Sequence, residues 1–144
     1  ALAPLATIAV APHIYVETQT TAAVQQTGLN YQSGTLRERL AAYHRNVDSA
    51  FYPWHNAWTR DDFQQWNIES ELKTLHGPLL LVQGDRDEYA SLDHIQRIAA
   101  HATHSQSVVL PDVGHWPHME RPLGLMQECV GFLNSVLKRR RRST

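Results

Sequence analysis

The feature that most constrains the fold is a continuous apolar run, Leu79-Leu-Leu-Val82, which is followed by Gln83 and Gly84. A strand with one solvated face alternates apolar and polar residues, whereas a strand covered on both faces is apolar throughout. Parallel sheets are covered in this way because their crossover helices lie on both faces. The run therefore predicts a buried strand of an α/β fold.

The segments around this run repeat an alternation of strand and helix. Apolar runs at 5–11 and 107–110 predict two further strands. Segments 91–102 and 122–137 carry apolar residues at helical spacing. The predicted buried stripe of the last helix consists of Leu125, Met126, Cys129, Val130, Leu133, Val136 and Leu137. Strands that alternate with helices predict a mostly parallel sheet with right-handed crossovers.

The segment between the first two strands has a different character and contains no convincing strand. Leu36, Leu40 and Tyr43 fall at helical spacing, and Trp54 and Trp58 would share one face of a helix. We therefore predict several short helices inserted between the strands. The tryptophans either pack these helices onto the body or form the apolar roof of a substrate pocket, and both hold if the insertion is a lid.

The composition of the chain limits the binding partners and the cellular compartment that we expect. With 42% hydrophobic and 19% charged residues, the 144-residue chain reads as a globular domain with a core. A net charge of −1 gives no global field for nucleic acid or an anionic membrane, and the basic end, Lys138–Arg142, is predicted to be a solvated tail. The single cysteine, Cys129, cannot form an intrachain disulfide, so we expect a reducing, cytoplasmic setting.

Two post-strand loops carry the residues of an acid–base pair. Three acids, Asp85, Asp87 and Glu88, follow the apolar run, and His115 follows the third strand after Gly114. An acid on one such loop and a histidine on the next form the acid–base half of a Ser-His-Asp arrangement. A loop needs a residue or two to turn back over the sheet edge, so Asp87 is better placed than Asp85, with Asp85 or Glu88 as the alternative acid.

These motifs resemble the C-terminal half of the α/β-hydrolase superfamily. The resemblance rests on Gly84-x-x-Asp87 after a buried strand and on Gly114-His115-x-x-x-x-Glu120-x-Pro122 before a closing helix, and it covers residues 78–137. In detail the chain is most similar to single-domain esterases, C–C bond hydrolases and related small members with a helical cap. The fold class that this implies is α/β, as the C-terminal portion of a mostly parallel α/β-hydrolase sheet with a helical cap insertion.

The resemblance also implies how the chain is divided. Residues 1–17 would hold the core strand that follows the missing nucleophile region, and residues 18–75 would be the helical cap. Residues 76–144 would be the C-terminal core with the acid and histidine loops.

The family's acid falls on Asp87 and its base on His115, which implies a hydrolase of esters, thioesters or C–C bonds. No Gly-x-Ser-x-Gly motif occurs in these residues, so the resemblance implies a serine before residue 1 and a fragment that is inactive alone. Cys129 is predicted to be a packing residue rather than the nucleophile. Two alternatives stay open: a non-catalytic protein that binds a small molecule or a partner, and a lyase, epoxide hydrolase or peroxidase of the same fold.

A small-molecule substrate is expected to bind near His13 at the end of the first strand, Trp54 and Trp58 of the insertion, and Trp116 beside the histidine. No cofactor is implied. The histidine pairs His101-x-x-His104 and His115-x-x-His118 lack a convincing third ligand, so no metal site is predicted. A three-stranded sheet has exposed edges, so the expected partners are the missing N-terminal half or a second copy, with no nucleic acid and no membrane.

Overall fold

A computed structural model describes residues 4–142 and divides the chain into two compact units. We call residues 4–14 and 68–142 the core unit, and residues 15–67 the helical unit. The helical unit begins and ends earlier than the predicted cap. It ends earlier because the 3-10 helix Glu69–Thr74 belongs to the core unit, where it packs against the helix that follows the central strand. That the helical unit serves as a cap stays a prediction.

The core unit contains a parallel sheet of three strands, β1 (Thr7–Val10), β2 (Leu79–Gly84) and β3 (Ser105–Leu110), in the order β1-β2-β3. Every residue of β2 is buried. In the register of the sheet, Val82 pairs with Val10 on one side and with Val108 on the other. The prediction of a buried strand in a parallel sheet is therefore confirmed.

Three helices of the core unit follow β2 and β3. Helix α4 (Asp93–His101) connects these strands, whereas α5 (Pro117–Glu120) and α6 (Pro122–Arg142) come after β3. The hydrophobic core between the sheet and α6 consists of Leu80, Val82, Leu110, Val113, Phe132 and Val136. Cys129 packs against this cluster, as expected of a packing residue.

The predicted buried stripe of α6 is wrong at four positions. Met126, Val130, Leu133 and Leu137 are exposed, and the residues that α6 does bury are Phe132 and Val136. The physical reason is that a three-stranded sheet covers only part of the helix circumference. The apolar side chains on the next face are left uncovered in the part of the chain that the structure describes.

The helical unit contains α1 (Thr18–Gln32), α2 (Thr35–Ala41), α3 (Val47–Thr59) and a 3-10 helix, Asp61–Gln65. Its small core is formed by Tyr31, Val47 and Phe51, with the rings of Tyr31 and Phe51 stacked at a centroid distance of 3.7 Å. The prediction of inserted helices is confirmed. Helix α1 was missed because its many threonines and glutamines give only a weak apolar stripe.

Across residues 4–142, none of the helices combines the length and apolar character needed to cross a bilayer.

Candidate active site

The acid loop, residues 85–91, leaves β2 at the C-terminal edge of the sheet. The backbone N–H groups of Tyr89 and Ala90 donate to Oδ1 of Asp87 over 2.9 and 3.0 Å, respectively. Gln83 Nε2 lies 3.3 Å from Oδ2 of the same carboxylate. The side chain of Asp87 is only 1% exposed. The acid is thus held by its own loop and by the strand beneath it.

Gln83 is a site residue that the sequence analysis missed. It is fully buried, and its Nε2 also donates to the carbonyl oxygens of Ala90 at 2.7 Å and Ser91 at 3.1 Å. Among residues 4–142 its Oε1 has no hydrogen-bond partner. The available signal was a lone amide at the end of an otherwise apolar strand, because a buried polar side chain requires partners.

The histidine loop, residues 111–116, passes directly over Gly84. A Cβ atom on Gly84 would lie 1.9 Å from the carbonyl oxygen of Val113 and 2.5 Å from that of Gly114. These are backbone atoms, so the clash could not be relieved by rotating a side chain. Glycine is therefore required here because the two loops approach closely.

Asp85, one of the alternative acids, joins the two loops. Its Oδ1 accepts a hydrogen bond of 2.7 Å from the backbone N–H of Asp112, and its own N–H donates to Leu110 O at 3.1 Å. The N–H of Arg86 donates to Val113 O at 2.9 Å. Asp112 needs such support because it has a φ of 59°, in the left-handed region.

His115 and Asp87 form a hydrogen-bonded pair across the two loops. Nδ1 of His115 lies 2.9 Å from Oδ2 and 3.0 Å from Oδ1 of Asp87, so its N–H is shared between both carboxylate oxygens. The side chain of His115 is 16% exposed. This hydrogen bond fixes the tautomer and leaves Nε2 as the ring nitrogen that can accept a proton.

The pKa of Asp87 lies below its ordinary value. Burial on its own raises this pKa, but the hydrogen bond and charge of His115 and the N–H groups of Tyr89 and Ala90 lower it by more. Asp87 is therefore ionised at neutral pH.

In the part of the chain that the structure describes, the ring of His115 lies next to the aromatic rings of Tyr89, Trp116 and His13. Their centroids lie 4.9 Å away for Tyr89, 5.0 Å for Trp116 and 5.5 Å for His13. The ring of His13 also lies 5.2 Å from that of His94, which is fully buried and accepts the N–H of Ile14 at Nδ1. The structure thus brings His13 and Trp116 to the pair. Tyr89 and His94 carried no sequence signal beyond their residue types.

The structure places Trp54 and Trp58 in the helical unit. Trp54 packs against the cluster that contains Phe51, whereas Trp58 meets the rings of Phe63 and Trp66 at 5.3 and 6.1 Å. Both side chains therefore contribute to packing within that unit. Their role in substrate binding stays a prediction.

The thiol of Cys129 lies in an unfavourable environment for a nucleophile. Burial raises the pKa of the Cys129 thiol, with the nearby charge of Glu128 acting in the same direction, which disfavours the nucleophilic thiolate. Within the described part of the chain, no group of three or more His, Cys, Asp and Glu side chains is arranged to hold a metal ion. The candidate site is therefore the hydrogen-bonded pair of His115 and Asp87.

Comparison with known proteins identifies the family to which the chain belongs. The sequence model described as alpha/beta hydrolase fold matches residues 15–122. A serine hydrolase involved in carbazole degradation superposes with a TM-score of 0.65 at 16% identity, over 90% of this chain and 54% of that one. An esterase from Thermogutta terrifontis superposes with a TM-score of 0.57 at 19% identity, over 92% and 56%.

A membrane phospholipase A, described as a bacterial virulence factor, is 30% identical, with a TM-score of 0.52 over 61% of this chain and 28% of the phospholipase. The chain thus spans between 28% and 56% of the length of these three structures. Its three-stranded parallel sheet with helices is consistent with part of such a domain. The family match covers most of the sequence, and the chain belongs to the α/β-hydrolase fold family.

Proposed function

We propose that this chain supplies the acid and the base of a Ser-His-Asp hydrolase. The observation that carries the proposal is the hydrogen bond from Nδ1 of His115 to the buried carboxylate of Asp87. A histidine oriented in this way by a carboxylate is the acid–base part of a catalytic triad. The serine is proposed to lie outside these 144 residues, since they contain no Gly-x-Ser-x-Gly motif.

In this mechanism Nε2 of His115 accepts the proton of the serine hydroxyl as its oxygen attacks the substrate carbonyl. The resulting imidazolium then protonates the leaving group, and an acyl-enzyme remains. In the second half, His115 removes a proton from water, which attacks the acyl group, and then returns that proton to the serine. Asp87 stays ionised throughout, keeps the tautomer and stabilises each imidazolium.

The proposed substrate has an ester, a thioester or a C–C bond next to an apolar acyl or aromatic group. The aromatic rings of Trp116, Tyr89 and His13 beside His115 support an apolar group at this position. Trp54 and Trp58 would add to the apolar surface if the helical unit acts as a cap. The phospholipase A and the esterase among the similar structures favour an ester.

The exposed apolar face of α6 is evidence that another protein segment binds there. This face carries Leu123, Met126, Val130, Leu133 and Leu137. Single exposed apolar residues are ordinary, but a continuous row of them marks a surface that another element covers. We propose that the rest of the hydrolase domain covers it, and that the isolated chain associates with itself or is unstable. A monomeric, cooperatively unfolding chain in sedimentation and denaturation experiments would contradict this.

The function is tested with the full-length protein and p-nitrophenyl esters of increasing acyl length. His115→Ala should lower kcat by about 10⁴-fold or more, because the serine loses its base. The matched control is His104→Ala, which removes an exposed histidine just before β3, and it should leave turnover unchanged. Equal activity of wild type and His115→Ala would refute the proposal.

A second candidate is a non-catalytic protein of the same fold that binds a small molecule or a partner. The absence of a nucleophile motif from these residues favours it. A fluorophosphonate probe separates the two, because it labels only an activated serine. Labelling of the full-length protein that is lost in His115→Ala supports the hydrolase. Lyase, epoxide-hydrolase and peroxidase chemistry on this fold would be distinguished by the identity of the nucleophile.

A further inference from the structure

Glu120 holds the backbone on both sides of His115. Its Oε2 accepts the N–H of Gly114 at 2.7 Å, and its Oε1 accepts the N–H of Trp116 at 3.0 Å. These are the residues immediately before and after His115 in the chain. A single carboxylate therefore fixes the two peptide groups that flank the proposed base.

The local fold explains how Glu120 reaches back. Helix α5 begins at Pro117, and the N–H groups of Met119 and Glu120 both donate to Trp116 O, at 2.8 and 2.9 Å. This single turn returns the side chain of Glu120 to the start of its own helix, in the manner of an N-terminal capping interaction. The histidine loop is thus followed by a helical turn that anchors it from outside.

The residue types in the loop fit this arrangement. A Cβ atom on Gly114 would lie 3.1 Å from Oε1 of Glu120 and 3.1 Å from Oε2 of Glu88. Glycine lets the carboxylate of Glu120 approach the backbone closely. In the observed geometry the two N–H groups donate to different oxygens of Glu120, and an amide side chain has only one oxygen.

We propose that Glu120 is a positioning residue for His115, which rests on the proposed role of His115 as the base. Glu120 is exposed, so its charge acts on the imidazole through solvent and is screened. Its effect is geometric instead. A general base must lie within about 2.6–3.2 Å of the proton that it accepts. A loop fixed at both peptide groups beside His115 keeps the ring at that distance while Asp87 fixes its rotation.

The test compares Glu120→Gln and Glu120→Ala in the full-length protein. The alanine variant loses both acceptors, so kcat should fall on the order of tenfold to a hundredfold with KM unchanged, as for a displaced catalytic group. The glutamine variant keeps one acceptor oxygen and should fall between wild type and alanine. The control pair, Glu38→Gln and Glu38→Ala, removes an exposed glutamate of α2 and should leave kcat unchanged.

Two further readouts separate positioning from a general loss of structure. Amide exchange at Gly114 and Trp116 should accelerate in Glu120→Ala, and the ring resonances of His115 should shift, while exchange in β2 stays as in wild type. An unchanged kcat in Glu120→Ala, in a protein that His115→Ala inactivates, would overturn the positioning role and leave the proposed function standing. Loss of kcat that only parallels a lower melting temperature, with His115 resonances unchanged, would also overturn it. If His115→Ala retains full activity, the proposed function fails first.

Discussion

The acid loop and the histidine loop place their side chains by opposite means. Asp87 is held from within its own loop, by the N–H groups of Tyr89 and Ala90 and by Gln83 just before the loop. Its side chain is almost completely buried. All of these partners lie within four residues of Asp87 in sequence.

His115 is held mainly from outside its loop. Asp87 binds its ring, Glu120 binds the peptide groups beside it, and Asp85 binds the backbone at Asp112. Its side chain keeps more exposure than that of Asp87. The difference fits the two roles that we propose. An acid that only orients the histidine can be fully buried, whereas a general base must stay accessible to a substrate. The following predictions, all made for the full-length protein, test this contrast from the largest expected effect to the smallest.

The largest effect is expected at the acid. Asp87→Asn keeps an oxygen for the N–H groups of Tyr89 and Ala90 but lacks a second carboxylate oxygen and the negative charge. The imidazole would lose its oriented tautomer, and kcat should fall by about 10⁴-fold in the full-length protein. Asp85→Asn, the matched control, keeps an acceptor for Asp112 and should retain most of the activity. A greater loss at Asp85 than at Asp87 would show that the acid is assigned to the wrong residue.

A large effect on stability is expected where the two loops touch. Gly84→Ala would place a methyl group against the backbone oxygens of Val113 and Gly114 and force the loops apart. We expect a loss of about 3 kcal/mol or more in the free energy of unfolding, measured with urea, because backbone must move. In Gly131→Ala, on α6, the new Cβ atom would have no atom of another element within 4 Å. This control should not lower the free energy of unfolding, because alanine is favoured over glycine inside a helix. Equal effects of the two substitutions would contradict the close approach.

The sequence predicted the central strand and the pairing of the two loops better than it predicted the contacts that hold each loop. The unbroken apolar run at β2 predicted the buried parallel strand because burial on both faces excludes alternation. The motif spacing selected Asp87 and His115, which the structure brings together, although their catalytic roles stay predictions. Gln83 was missed, and the contacts of Glu120 were not predicted although the motif contains it, because many of their partners are backbone groups. No side-chain pattern records which peptide N–H or C=O groups a loop will present.

At the exposed face of α6 the sequence predicted burial that the structure does not show. Helical periodicity marks which residues share a stripe, but it does not state whether another element covers that stripe. Met126 and Val130 belong to the predicted stripe and are nevertheless exposed in the described part of the chain. Burial depends on the number of strands beneath the helix, which a local pattern does not contain.

A pH-dependent effect follows from the carboxylate of Asp87. Burial alone would raise its pKa in the folded state, but the hydrogen bond and charge of His115, together with the N–H groups of Tyr89 and Ala90, hold this pKa below the ordinary value of 3.8. A lowered folded-state pKa contributes stability above the unfolded-state pKa, and this contribution is lost as the pH falls through the folded-state pKa. Urea unfolding of wild type and Asp87→Asn should therefore differ most near neutral pH, and the difference should shrink below about pH 4. A difference that stays constant into acid would indicate that the charge of Asp87 does not stabilise the fold.

The smallest effect is expected at the ion pair between Arg86 and Asp112, which also joins the two loops. Both side chains are about 70% exposed, so solvent screens their attraction. Arg86→Ala should lower the free energy of unfolding by less than about 1 kcal/mol. The substitution leaves the N–H of Arg86 donating to Val113 O and the carboxylate of Asp85 accepting the N–H of Asp112. A larger loss that disappears in high salt would mean that the surface charges, rather than these backbone contacts, hold the histidine loop over Gly84.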